Sequence, residues 1–99
     1  MQIEFIDSKL AKLYETGNDK WQYPPWVVQR FQDRVEQLSY AHHLSDLKNI
    51  ISLNLEKMKE YGDNRRSVRL NKQRRLLFIY DDNWITQVIW IKEISKHYE

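Results

Sequence analysis

The sequence predicts an α+β fold, with two N-terminal helices packed on one face of a small twisted, mainly antiparallel β-sheet. Three observations predict it. The first half of the 99-residue chain spaces its apolar residues helically, and the second half changes to β-branched and aromatic runs separated by turn residues. The two glycines and two adjacent prolines fall between these runs, leaving little linker. With 41% hydrophobic and 13% aromatic residues the chain can fill one core, so residues 1–99 are expected to form a single domain.

The elements follow in order. "QIEF" alternates like a short edge strand. "DSKLAKLYET" has Leu10, Leu13 and Tyr14 at helical spacing, Asp7 as N-cap and Gly17 as the stop. Pro24-Pro25 suits the first turn of a second helix, where a missing N–H costs nothing. That helix runs to about Ala41. Val27, Val28, Phe31, Val35 and Leu38 form its stripe, with Gln29, Arg30, Asp33, Arg34 and Glu36 opposite. His42 and His43 read as helix termination rather than as metal ligands, because the i,i+4 spacing of helical zinc motifs is absent. "LSDLKNI" adds a short turn capped by Ser45, and "LNLEKMK" alternates as a strand. "RRSVRL" and "RLLFIY" flank the turn "NKQ", and "ITQVIWIKEI" follows the turn "DDNW". "LLFIY" is apolar throughout, which implies cover on both faces, and Trp90 is expected in the core. Trp21, Tyr23 and Trp26 read as core or partner interface, and Trp84 as a turn tip.

Charge is distributed unevenly. The chain carries +2, yet six cations fall within Arg65–Arg75 and no acid occurs between Asn64 and Tyr80. Without those six, ten basic residues face fourteen acidic ones, a balance of −4. Alternation puts Val68 and Leu70 on one face of a strand and Ser67 with Arg69 on the other. The following strand then brings Arg74 and Arg75 alongside. Guanidinium groups that converge in this way repel unless an anion lies between them, and their planar fork suits phosphate. Cations on an edge strand also discourage aggregation, so charge by itself indicates a polyanion without saying whether it is bound or cut.

Some chemistry is excluded. With no cysteine there is no disulfide, Cys-type zinc site or thiol nucleophile, which fits a reducing cytoplasm. The first ten residues lack the apolar run of a signal peptide, and no stretch is long and apolar enough for a membrane span.

Taken together, "LAKLYETG", the proline-led helix, "LEKMK", "SVRLNKQRRLLF" and the closing "VIWIKEISKHYE" resemble the HigB branch of the RelE superfamily of bacterial toxins. The most specific stretches are Ser67-Val68-Arg69-Leu70-Asn71-x-Gln73-x-Arg75 and "EISKHY". The resemblance implies a RelE-like fold and a ribosome-dependent mRNA endonuclease that needs no metal or other cofactor. It also implies a helix-turn-helix antitoxin of the HigA type. The ribosome, with mRNA in its decoding site, would be the other partner, and DNA would be reached only through the antitoxin. The attacking group is the neighbouring ribose 2′-hydroxyl, and the products are a 2′,3′-cyclic phosphate and a free 5′-hydroxyl. Such chemistry needs a base, an acid and cationic donors for the transition state, each donor contributing about 10²–10³ in rate. Carried over by position, Arg69 and Arg75 are the phosphate-contacting pair, with Lys57 and Lys59 on the preceding strand. His97 and Tyr98 are the proton-handling groups, while Arg65, Arg66, Lys72, Arg74 and Lys96 steer and hold RNA. Many relatives end Asp-Tyr-His where this chain reads Lys96-His97-Tyr98, so the resemblance leaves the acid and base roles open between His97 and Tyr98. A ParE-like toxin that inhibits DNA gyrase by binding is the alternative reading, and the Arg69/Arg75 pair beside proton donors favours the nuclease.

Overall fold

The structure, a computed structural model, describes residues 1–18, 23–58, 62, 64–82 and 87–96. Its strands are β1 (Gln2–Phe5), β2 (Glu56–Lys57), β3 (Arg65–Arg69), β4 (Arg74–Asp82) and β5 (Gln87–Lys96). The helices are α1 (Ser8–Thr16), α2 (Pro25–Tyr40) and the short α3 (Leu44–Lys48), followed by a 3-10 turn over Ile51–Leu53. The sheet order is β1-β5-β4-β3-β2, with β1 parallel to β5 and every other pairing antiparallel.

The helix ends obey their local chemistry. Asp7 Oδ1 accepts from the Lys9 N–H at 2.8 Å, and Gly17 at φ 68° donates its N–H to Leu13 O at 2.8 Å. A Cβ on Gly17 would also come within 3.1 Å of Gln32 Nε2, the amide that donates to Tyr14 O. Pro24 caps α2 and Pro25 opens it, as expected. In α3 the cap is His43 and not Ser45. Asp46 Oδ2 accepts from the backbone N–H of both His42 (3.1 Å) and His43 (3.0 Å), closing the turn from its third position. Those two hydrogen bonds hold the Asp46 carboxyl below the usual carboxylate range, against the smaller opposing effect of desolvation.

Strand alternation sorts the sheet into two faces. Ile3, Phe5, Val68, Leu76, Phe78, Ile89 and Ile91 meet Leu10 and Leu13 of α1 and Val27, Phe31, Val35 and Leu38 of α2 in one core. The opposite face, here called the open face, carries Ser67, Arg69, Arg75, Leu77, Ile79, Trp90 and Glu4. A bulge at Leu77/Phe78 keeps this parity in step with β5.

Several sequence expectations are corrected. Leu77 and Ile79 are half-buried, so "LLFIY" is fully covered on one side only. Trp90 is 37% exposed on the open face, because consecutive apolar residues in "VIWI" conceal the alternation that sends Ile89 and Ile91 to the core. Asp81 and Asp82 are not a turn. They extend β4, opposite Val88 and Gln87. Among the described residues of "LNLEKMK", strand is confined to Glu56 and Lys57, since Leu53 closes the 3-10 turn and Asn54 adopts φ 46°, which breaks extended backbone.

Candidate nucleic-acid interface

The β3–β4 register sets Arg69 directly opposite Arg75 on the open face. The connecting turn fixes that register through Asn71, whose Oδ1 accepts from the Gln73 N–H at 2.9 Å and the Arg74 N–H at 2.7 Å. The Leu70 N–H adds a bond to Arg74 O at 2.9 Å.

The two arginines have different surroundings. Arg75 is only 4% exposed. Its Nε donates to Ser67 Oγ at 2.8 Å, and its Nη2 donates to Ser67 O at 3.3 Å and to Asn54 O. Nη1 lies 3.8 Å from Glu56 Oε1, a carboxylate half open to solvent. Burial lowers the Arg75 pKa first; the Glu56 charge opposes this and Arg69 adds to it, yet a guanidinium stays protonated at neutral pH. Arg69 is half-buried, and among the described residues its side chain pairs with no carboxylate.

A second buried arginine completes the frame. Sequence reading left Arg34 on the polar side of α2, but it is 6% exposed. Its Nε donates to Arg69 O at 2.9 Å, Nη1 to Gln37 Oε1 at 2.8 Å and Nη2 to Ser52 O at 3.2 Å. Neighbouring Arg30 donates to Leu70 O at 3.2 Å. Desolvation is the main cause of a lowered Arg34 pKa; Arg30 lowers it further and Asp33 opposes. The signal was present: position 34 is seven residues after Val27 and three after Phe31, on the buried stripe. Arg34 and Arg75 thus hold the 52–54 backbone from α2 and from β4, just before β2 presents Glu56 and Lys57.

The remaining sequence candidates do not form one floor. Arg65 joins the open face, opposite Ile79. Arg66 and Lys57 oppose each other on the helix-covered side, where Tyr80 lies close enough for the Arg66 charge to act on its phenol. Burial, then the Asp82 carboxylate, push the Tyr80 pKa up, and Arg66 lowers it. Arg74 opposes Lys96 on the same side, with its guanidinium carbon 5.4 Å from the centroid of the half-buried Tyr23 ring. Lys72 is exposed in the turn, and Trp26 is 48% exposed at the start of α2. Lys59, His97 and Tyr98, like Trp21 and Trp84, lie outside the described residues. Sequence reasoning put Ser67 beside Arg69 without a partner, gave Glu56 no role and did not reach Asn54; their contacts with Arg75 come only from the fold.

A five-stranded sheet with helices on one face and arginines on the other defines a small α+β domain built to present cations from rigid strands. The chain belongs to the HigB-like toxin family. The family's sequence model, described as "RelE-like toxin of type II toxin-antitoxin system HigB", matches residues 3–91. It is therefore a type II toxin of the RelE-like superfamily, and that membership implies an antitoxin partner. No curated protein matches the chain. Among solved structures it is similar to a YoeB/ParE toxin from Agrobacterium tumefaciens, at 12% identity and TM-score 0.58, covering 99% of this chain and 100% of that one. It is likewise similar to a YoeB dimer from Staphylococcus aureus, at 18% identity and TM-score 0.59, covering 99% and 98%. These likenesses establish the fold. Among the described residues no helix is long and apolar enough to cross a membrane.

Proposed function

We propose that this toxin is a ribosome-dependent mRNA endonuclease, neutralised by a helix-turn-helix antitoxin of the HigA type. The observation that carries the reading is the Arg69–Arg75 pair, two arginines opposite each other in the β3–β4 register and close enough for the Arg69 charge to act on Arg75, with Arg69 lacking a carboxylate partner among the described residues. Such a pair is repulsive until an anion enters, and a phosphodiester supplies one. Arg69 reaches the scissile phosphate. Arg75 has Nε and Nη2 engaged by Ser67 and Asn54, so its Nη1, 3.8 Å from Glu56 Oε1, is the end left for a phosphate oxygen.

The chemistry balances without a cofactor. The 2′-oxygen attacks phosphorus, the P–O5′ bond breaks, and a 2′,3′-cyclic phosphate forms. A base removes the 2′-proton and an acid delivers one to the 5′-oxygen. In this reading Glu56, half-exposed with Oε1 3.8 Å from Arg75 Nη1, serves as the base. The acid falls to His97 or Tyr98, which follow Lys96 in the chain. Lys96 pairs with Arg74 in the register step next to Arg75, at the same end of the sheet. Lys59, Lys57 and the exposed cations hold RNA.

The test is cleavage of a defined mRNA with and without translating ribosomes, mapped by primer extension in chelated buffer. Cuts should require ribosomes, and Glu56→Gln should slow them by about 10²-fold or more with unchanged thermal stability. Cleavage that is undiminished in Glu56→Gln rejects Glu56 as base. No ribosome-dependent cuts by the wild type rejects the nuclease reading, and gyrase supercoiling is assayed next.

A further inference from the structure

We infer that Asn54 is a positioning residue for cleavage, whose left-handed backbone aims its own carbonyl at Arg75 and sets Glu56 beside that guanidinium. The inference rests on the nuclease reading above. Among the described residues Asn54 is the one non-glycine residue with positive φ, at φ 46° and ψ 58°. That conformation crowds Cβ against the following carbonyl, and asparagine tolerates it better than most L-residues. It joins two features that need different backbone directions. Before it, the Asn54 N–H closes the 3-10 turn by donating to Ile51 O at 3.0 Å. After it, β2 pairs Glu56 with Ser67 and Lys57 with Arg66.

A right-handed residue at this position would continue the turn and leave its carbonyl along the turn axis. The left-handed step swings the carbonyl out, and Arg75 Nη2 donates to it. The neighbours leave little play. Leu53 is fully buried, Arg34 Nη2 holds Ser52 O at 3.2 Å, and Leu55 packs against the core. With Leu55 inward, alternation turns Glu56 outward, where its Oε1 lies 3.8 Å from Arg75 Nη1. One peptide orientation therefore sets both the guanidinium and the carboxylate. Among the described residues the Asn54 side-chain amide forms no hydrogen bond, so its contribution is the backbone conformation it permits.

The test is ribosome-dependent cleavage of a defined mRNA by the full chain, with kcat and KM measured separately for three variants. Asn54→Gly keeps the left-handed conformation open and should stay within about threefold of wild type in both constants. Asn54→Val, whose branched Cβ disfavours it, should lower kcat about tenfold with KM within about twofold. Asn54→Ala should lower kcat about fivefold, and it carries the comparison if circular dichroism shows Asn54→Val unfolded. In a Glu56→Gln background the same substitutions should cost less than about twofold, since the carboxylate they displace is already gone. A merely structural role would give the same factor in both backgrounds. That result overturns the inference, as does wild-type kcat in Asn54→Val and Asn54→Ala, or an Asn54→Gly as slow as they are. In each of these cases cleavage by the wild type leaves the nuclease reading standing. No ribosome-dependent cuts by the wild type overturns both.

Discussion

The buried arginines and the open arginines of this protein have the same side chain in two different situations. Arg34 and Arg75 donate into backbone carbonyls and, for Arg75, the Ser67 hydroxyl. Arg65 and Arg69 stand half-buried on the open face, with no ion pair among the described residues. Arg69 and Arg75 are partners in the same register step, so strand position does not separate them. What separates them is the 52–56 segment, which lies against Arg75 and supplies Asn54 O and Glu56. A guanidinium with carbonyls around it becomes part of the frame. One without them is left for an external anion.

Removing one arginine of each kind breaks the comparison most directly. Arg75→Ala should cost about 3 kcal/mol of stability, because the Asn54 and Ser67 acceptors lose their donors in a buried place, and activity should fall with it. Arg75→Lys should recover little, since one ammonium cannot reach both acceptors. Urea melts alongside cleavage assays check both. Arg69→Ala should lose about 10²–10³ in cleavage rate while stability changes by about 0.5 kcal/mol or less. Equal stability losses in the two variants would erase the distinction.

Smaller effects sharpen it. Arg34→Met keeps the bulk on α2 and removes the bonds to Ser52 O and Arg69 O, so about 1–2 kcal/mol of stability should go. Because that variant also loosens the backbone at Arg69 and ahead of Glu56, cleavage should fall more than affinity for RNA, which kcat and KM measured separately would show. Asn71→Ala, which loses two turn hydrogen bonds, should cost about 1 kcal/mol by thermal melting and leave the ribosome requirement intact.

Wherever one periodicity ruled, the fold was legible from residues. Asp7, Gly17 and Pro25 mark the helix ends they were expected to mark, and alternation in "SVRL" sent Val68 inward and Arg69 outward. The site was legible in part. The Arg69–Arg75 juxtaposition follows from two strands and an Asx turn, all local chemistry. The separation of Arg66, Arg74 and Lys96 onto the helix-covered side was also written in the alternation, but the density of charge obscured it. Trp90 and Arg34 were misplaced for different reasons. A run of apolar residues hides which member faces out, and an arginine on an apolar stripe reads as polar until an acceptor for it is known.

By itself, then, the sequence determined the α+β class, the order of the elements, the turn that sets β3 against β4 and the family to which the chain belongs. Each depends on neighbours within a few residues or on the pattern of the whole chain. The tertiary structure alone decided which arginine is buried, which carboxylate meets it and which tryptophan faces solvent. Those outcomes depend on contacts between residues far apart in the chain, such as Arg75 with Asn54 and Arg34 with Arg69. Whether a side chain is desolvated is a property of the surface that closes over it, and that surface exists only once the chain has folded.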